Sequence, residues 1–322
     1  EPENSLSPHY LGRIVNALNE MTGLGDAQAL IATHAPSMLR RVAPERIRYL
    51  RLTQERTSRV AYIQLPEATD EAHKFVREAV QAFPEVYFSR LVVLGEGDSE
   101  EIVLPRLLQA KGAPVDESAV TIAPLGGRHV NHFWRLLSAL QIPYLTLLDL
   151  DVARYAAGWG RIKVVNDQLA KFEPAKVLPE DWDLPKWNAK DTPVRTHKFF
   201  GAEKKNVFRE LESRGIYFSE PLDLDFAMLL AFPEAYSVEK DEPDDSTIKA
   251  VLGKKHHDAS QYSKDEQKLF NTYHQRFKLG SKPAAHIDAL AQLTDKELMA
   301  GMPASLIRLA DAVIAKLAEL PE

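Results

Sequence analysis

Two apolar runs in this chain end in carboxylates. The first, Leu91, Val92, Val93 and Leu94, leads into Gly95-Glu96-Gly97; the second, Tyr144, Leu145, Leu147 and Leu148, leads into Asp149-Leu150-Asp151. Short apolar runs of this kind read as buried parallel strands, and open α/β sheets place their ligands at the carboxyl ends of such strands. In extended geometry Asp149 and Asp151 point to the same side. With Glu96 facing them from a neighbouring strand, three like charges share one place, which is costly without a cation. Hard oxygen donors suit Mg²⁺ or Mn²⁺, so the chemistry expected here is that of a bound divalent ion.

The elements that must position these groups are legible around them. Gly95 and Gly97 allow a sharp turn after the first strand. Asp98 and Ser99 are N-cap residues, and Glu100, Glu101, Ile102, Leu104 and Leu107 continue at helical spacing. Glu100 then lies about one turn into that helix, close enough to share the Glu96 site. Val120–Pro124 reads as a strand, Gly126-Gly127-Arg128-His129 as a loop and Val130–Leu140 as a helix. The βαβαβ alternation predicts a mainly parallel sheet with right-handed crossovers. Helices are expected over Arg161–Phe172 and Glu203–Arg214, joined by an irregular stretch carrying Pro174, Pro179, Pro185, Pro193, Trp182 and Trp187. Tyr217 and Phe218 suggest a further strand, with Asp223 and Asp225 ahead of an apolar helix, Phe226–Phe232. Either aspartate could cap that helix. After the charged stretch Glu239–Asp245, the segments Gln261–Lys278, His286–Leu293 and Ala304–Leu320 are helical, the last with a clear apolar face.

A strand-Glu-Gly turn followed about fifty residues later by strand-Asp-x-Asp resembles the Toprim domain of topoisomerases, primases and nucleases. The extra Glu100 in EGDSE is similar to the nuclease branch, specifically the overcoming-lysogenization-defect (OLD) family. Arg154, Gly158 and Gly160, after the Asp-x-Asp, continue the likeness. The resemblance implies an α/β fold: a Toprim domain with a mainly parallel sheet flanked by helices over 89–238, followed by a helical domain over 239–322. It implies a DNA nuclease using two Mg²⁺ ions, with Mn²⁺ or Ca²⁺ able to replace them in binding. Glu96, Asp149 and Asp151 would hold the metals, and Glu100 with Asp223 or Asp225 would complete the second site. A lysine from the helical part would meet the scissile phosphate. Lys282, in Gly280-Ser281-Lys282-Pro283, matches that position; Lys254 and Lys255, beside His256 and His257, are the rivals.

The N-terminal stretch has a different character. EPENSLSPHY resembles the end of the Walker B strand and the D-loop of ATP-binding-cassette ATPases, where Glu1 or Glu3 would polarise the attacking water. Gly12–Thr22 reads as an amphipathic helix. Ala29–Ala32 reads as a short strand, with His34 just beyond it as in the switch-histidine loop of those ATPases. No Gly-x-x-x-x-Gly-Lys-Ser/Thr loop occurs in these residues, so no backbone cradle for the phosphates is present. Residues 1–65 are therefore expected to be the tail of an ATPase domain whose larger part is missing, inactive alone, with ATP serving only the full-length protein. Ile47–Thr53 and Val60–Leu65 read as a hairpin, and 66–88 as a linker helix.

Composition sets the remaining bounds. The chain has 322 residues, 45% hydrophobic and 27% charged, ordinary for a globular protein. It has no cysteine, which excludes disulfides and thiolate metal sites and fits the cytoplasmic location expected. No apolar run is long enough to span a bilayer, so no membrane partner is expected. A net charge of −6 neither advertises nor forbids a nucleic-acid partner. The resemblance names DNA as substrate, a separately encoded helicase as partner, a homodimer as an assembly it allows, and phage defence as the setting. Two other classes stay open: a Toprim transesterase working through Tyr217, Tyr262 or Tyr273, and a non-catalytic DNA-binding or interaction module.

Overall fold

The computed structural model describes residues 4, 6–53, 55–63, 81–124, 130–152, 154, 157–178, 202–237, 245–254, 256 and 258–321. Glu1, Glu3, most of 67–83, Gly126–His129, Trp182, Trp187, Lys198, Lys255 and His257 lie outside them, as do the side chains of Lys204 and Lys205.

Helix α1 (Pro8–Gly23) opens the chain and α2 (Pro36–Leu39) follows, with Leu11, Val15 and Met38 in a small shared core. The strand expected over Ala29–Ala32 is not formed, and Leu30 is 96% exposed. A strand persists only where a neighbour satisfies its backbone groups, and among the described residues no strand pairs with this stretch. His34 sits on it, exposed. The expected hairpin is present as β1 (Arg48–Leu52) and β2 (Ser58–Tyr62), paired antiparallel.

The centre is a four-stranded, all-parallel sheet in the order β4-β3-β5-β6: β3 (Leu91–Gly95), β4 (Val120–Pro124), β5 (Tyr144–Asp149) and β6 (Ile216–Ser219). Between these strands run α3 (Asp98–Ala110), α4 (Val130–Ala139), α5 (Trp159–Phe172) and α6 (Ala202–Ser213). After β6 come α7 (Leu224–Ala231), α8 (Asp245–Leu252), α9 (Lys264–Tyr273), α10 (Lys282–Leu290), α11 (Asp295–Gly301) and α12 (Ala304–Ala318). A π-helical segment, His274–Leu279, joins α9 to α10 in place of the continuous helix expected.

Alternation along β3 divides the core into two layers, because successive side chains leave a strand on opposite faces. Leu91 and Val93 pack with Leu104, Leu107 and the helices after residue 245, including Leu306, Leu309 and Val313. Val92 and Leu94 pack with Trp134 and Leu137 of α4, Ile162 and Val165 of α5, and Phe208 of α6. Ile47, Ile63 and Tyr87 join this second layer and seat the hairpin on the sheet. The helices beyond the charged stretch at 239–245 thus share one core with the sheet. Their apolar faces cover a sheet surface that would otherwise meet water, at roughly 25 cal/mol for each Å².

Candidate active site

Parallel register brings the tips of β3 and β5 together, with Leu94 opposite Thr146 and Asp149 opposite Ser219 of β6. Glu96 is the first residue past β3, and its Oε1 accepts from the Asp149 backbone N–H at 2.9 Å. Glu100 folds back at the start of α3, its Oε2 accepting from Gly97 N–H at 2.9 Å, and is 3% exposed. Gly95 makes this fold-back possible: a Cβ there would stand 2.6 Å from Glu100 Cβ and Cγ. Asp149 accepts from Ser219 Oγ at 2.8 Å and Leu224 N–H at 3.3 Å, so α7 begins against it.

The extended geometry expected to carry both Asp149 and Asp151 ends at Asp149, although the Asp151 charge still acts on Asp149 and Glu96. The strand ends at Asp149, and Asp151 has φ +54°, a left-handed conformation that aspartate tolerates better than most residues. Backbone pairing sets this turn, with Asp151 N–H donating to Leu222 O at 2.6 Å and Val152 N–H to Pro221 O at 2.9 Å. Period-two alternation stops where the extended backbone stops. Asp151 instead pairs with Arg154, and its other oxygen is 3.9 Å from Arg161.

Asp223 and Asp225 have different partners. Asp223 caps α7, accepting from Phe226 N–H at 2.9 Å, while its second oxygen takes Tyr273 Oη at 2.5 Å and Arg154 at 3.1 Å. Asp225, 1% exposed, is held by Ser99 Oγ at 2.6 Å and His286 Nε2 at 3.0 Å, with Lys282 Nζ 2.5 Å from its other oxygen. Glu96, Glu100, Asp149, Asp223, Asp225 and Lys282 line one open cleft of about 480 Å³. Lys254 is exposed and does not line it; neither does His34. His256, expected in a solvated turn, is buried against the Tyr262 hydroxyl at 2.7 Å. Tyr217, Tyr262 and Tyr273 are all buried, none of them lining the cleft.

Crowding of carboxylates dominates the electrostatics. Burial, then the charge of Glu96, push Asp149 well above the usual carboxylate range. Glu100 is pushed up to about 7 by burial, with Asp225 and Glu96 adding to it. Glu96 also rises through burial, although Arg161 opposes the shift. Asp225 behaves oppositely: burial would raise it, but the hydrogen bond from His286 and the charge of Lys282 hold it at about 2. Lys282 is raised in turn, since Asp225 outweighs its burial.

Among the described residues no three carboxylate or imidazole groups converge as a ready-made metal shell. The reason is visible in their partners: Arg161 draws on Glu96, Arg154 on Asp151 and Asp223, and Lys282 on Asp225. Chemically the set still fits a hard dication, since buried, mutually repelling carboxylates gain most from one. Arg161, Ser99 and Ser219 were missed by sequence reasoning. No local pattern marks a residue on a helix or strand as the partner of a distant carboxylate.

The family model for the overcoming lysogenization defect protein-like TOPRIM domain matches residues 87–151, the stretch holding Glu96, Glu100, Asp149 and Asp151. Endonuclease GajA of Bacillus cereus (strain HuB5-5) is 24% identical over 123 residues, covering 36% of this chain and 18% of that protein. The chain therefore spans under a fifth of the length of this curated relative. Among solved structures, the C-terminal region of the Xanthomonas campestris pv. campestris OLD protein aligns with a TM-score of 0.44 and 17% identity, over 72% of this chain and 97% of that one. The C-terminal region of the Burkholderia pseudomallei OLD protein aligns with a TM-score of 0.40 and 13% identity, over 71% and 99%.

Proposed function

From a chain whose residues 87–151 are an OLD-like Toprim domain, we propose that the cleft hydrolyses DNA phosphodiesters with two divalent metal ions. The observation that carries this reading is the meeting of Glu96, Glu100 and Asp149 with Lys282 in one open cleft at the carboxyl end of a parallel sheet. Glu96, Glu100, Asp149 and Asp151 would hold the metals, with Asp223 or Asp225 completing the second site. When bound, Mg²⁺ or Mn²⁺ would supply an activated water and neutralise charge on the leaving oxygen.

The chain's own residues do the rest. Lys282, with its side chain 43% exposed, reaches the cleft from the first turn of α10, where helix geometry also favours an anion. It would sit against the scissile phosphate and take up charge as the transition state forms. Arg161, paired with Glu96, and Arg154, paired with Asp151 and Asp223, offset part of the negative charge in the free protein. The likeness to a protein named an endonuclease supports the same reaction class. The partners proposed, a helicase and the remainder of an ATPase, rest on the sequence resemblance alone.

Nicking of supercoiled plasmid with Mg²⁺ or Mn²⁺, stopped by EDTA, tests the reading. Glu96→Ala and Asp149→Ala should each abolish cutting while circular dichroism stays native. Wild-type cutting by either variant, or no cutting by the parent chain, would sink it. A covalent protein–DNA adduct would point to a transesterase instead.

A further inference from the structure

His286 lies in the middle of the core, 0% exposed, yet both of its ring nitrogens are engaged. Nδ1 is 2.7 Å from the Tyr236 hydroxyl and Nε2 is 3.0 Å from Asp225 Oδ1. Tyr236 is also 0% exposed, and its carbonyl accepts from Arg276 Nε at 3.0 Å. The rings of Tyr236 and His286 meet edge to face at 5.6 Å, and Phe277 packs against both. An ionised carboxylate can only accept. Nε2 must therefore carry a proton, and Nδ1 is left facing the Tyr236 hydroxyl.

Lys282 and His286 stand four residues apart on α10, so they project from one face of it. That face grips both oxygens of Asp225, the imidazole on Oδ1 and the ammonium beside Oδ2. Ser99 ties the same carboxylate to the first turn of α3. One end of this chain of contacts is sealed in the core, and the other, Lys282, opens into the cleft. A long flexible side chain anchored at its charged tip loses much of its freedom before substrate arrives.

We propose that Tyr236 and His286 are positioning residues that fix the Asp225 carboxylate and, through it, aim Lys282 at the scissile phosphate. This rests on the nuclease reading, but the hydrogen-bond arrangement can be tested without it. Ring-nitrogen NMR of the free wild-type chain should show a proton on His286 Nε2. A ring with no proton on Nε2 would overturn the assignment. Tyr236→Phe should keep that proton but move the Nδ1 resonance, which loses its hydroxyl partner; an unchanged Nδ1 signal counts against the relay.

The kinetic arm uses plasmid nicking with Mg²⁺. His286→Leu should lower kcat by about ten- to a hundredfold, the scale of losing an orienting contact, with KM for plasmid unchanged. His286→Gln, which keeps an N–H near the place of Nε2, should recover most of that loss. In a Lys282→Ala background His286→Leu should cost almost nothing further, because residues acting through one another are not additive. Independent, multiplying losses, or no rescue by Gln in a variant that melts like wild type, would overturn the proposal. If His286→Leu does not fold, Tyr236→Phe and His286→Gln carry the same comparison. A wild-type chain that cuts nothing refutes the nuclease reading, while the NMR result still decides whether the relay exists.

Discussion

Glu100→Gln tests whether the carboxylate cluster is strained when no metal is bound. Glu100 is 3% exposed and is held at about 7, against an ordinary 4.5. Between those two values the folded chain keeps a proton that the unfolded chain has released. The folded state then binds more protons, so stability must fall as pH rises through this window and level off above it. At 1.36 kcal/mol per pH unit the loss is roughly 3 kcal/mol. Asp149 and Glu96 are raised too and push in the same direction, whereas Asp225, held at about 2, is already ionised throughout the window. At about 2 °C per kcal/mol for a chain this long, EDTA-treated wild type should melt roughly 6 °C lower at pH 8 than at pH 5. Glu100→Gln copies the protonated shape and should lose clearly less over the same range. Added Mg²⁺ should restore the wild type at pH 8 and do little at pH 5. A wild-type melting point that holds or rises from pH 5 to 8, or an equal slope in the variant, would refute the reasoning.

Three further outcomes follow from named contacts. Gly95→Ala places a Cβ 2.6 Å from two Glu100 carbons; it should destabilise by about 1–3 kcal/mol and weaken Mg²⁺ binding in calorimetry, because Glu100 must move. Lys282→Ala should slow nicking by about a hundredfold while Mg²⁺ binding stays nearly unchanged, since lysine is not a ligand; normal cutting by it, with a dead Lys254/Lys255 double alanine variant, would move the role to the other loop. Arg154→Leu strips the cation from Asp151 and from buried Asp223, and should cost about 3 kcal/mol or more in denaturation at pH 8.

Glu96, Glu100 and Asp149 were legible because their signals are local. A glycine-bracketed glutamate after an apolar run, a helix start and a strand-ending aspartate each need only a few neighbouring residues, although the cap of α3 is Gly97 and Asp98 and Ser99 lie inside the helix. The turn at Asp151 left no local sign, because its backbone is set by Pro221 and Leu222, far along the chain. Lys282 could be singled out by the proline after it, whereas Tyr236 carries no sign of its place, since its partners lie in α10 and the π-helical segment. The charged stretch at 239–245 suggested a break in packing. In the fold, the helices beyond it join the core on one side of the sheet: α12 packs on the strands, and α10 and α11 on α3. The strand expected before His34 failed for the converse reason, an extended sequence with no strand to pair with among the described residues.

The two walls of the cleft are far apart in sequence: Ser99 meets Asp225 across 126 residues, and Asp225 meets His286 across another 61. Closing such long loops costs chain entropy that only the assembled fold repays. On the ribosome, where chains emerge N-terminus first at about 5–20 residues per second, Asp225 is made before Lys282 and His286. On the proposed reading the cleft therefore gains its phosphate-facing cation last, when α10 docks.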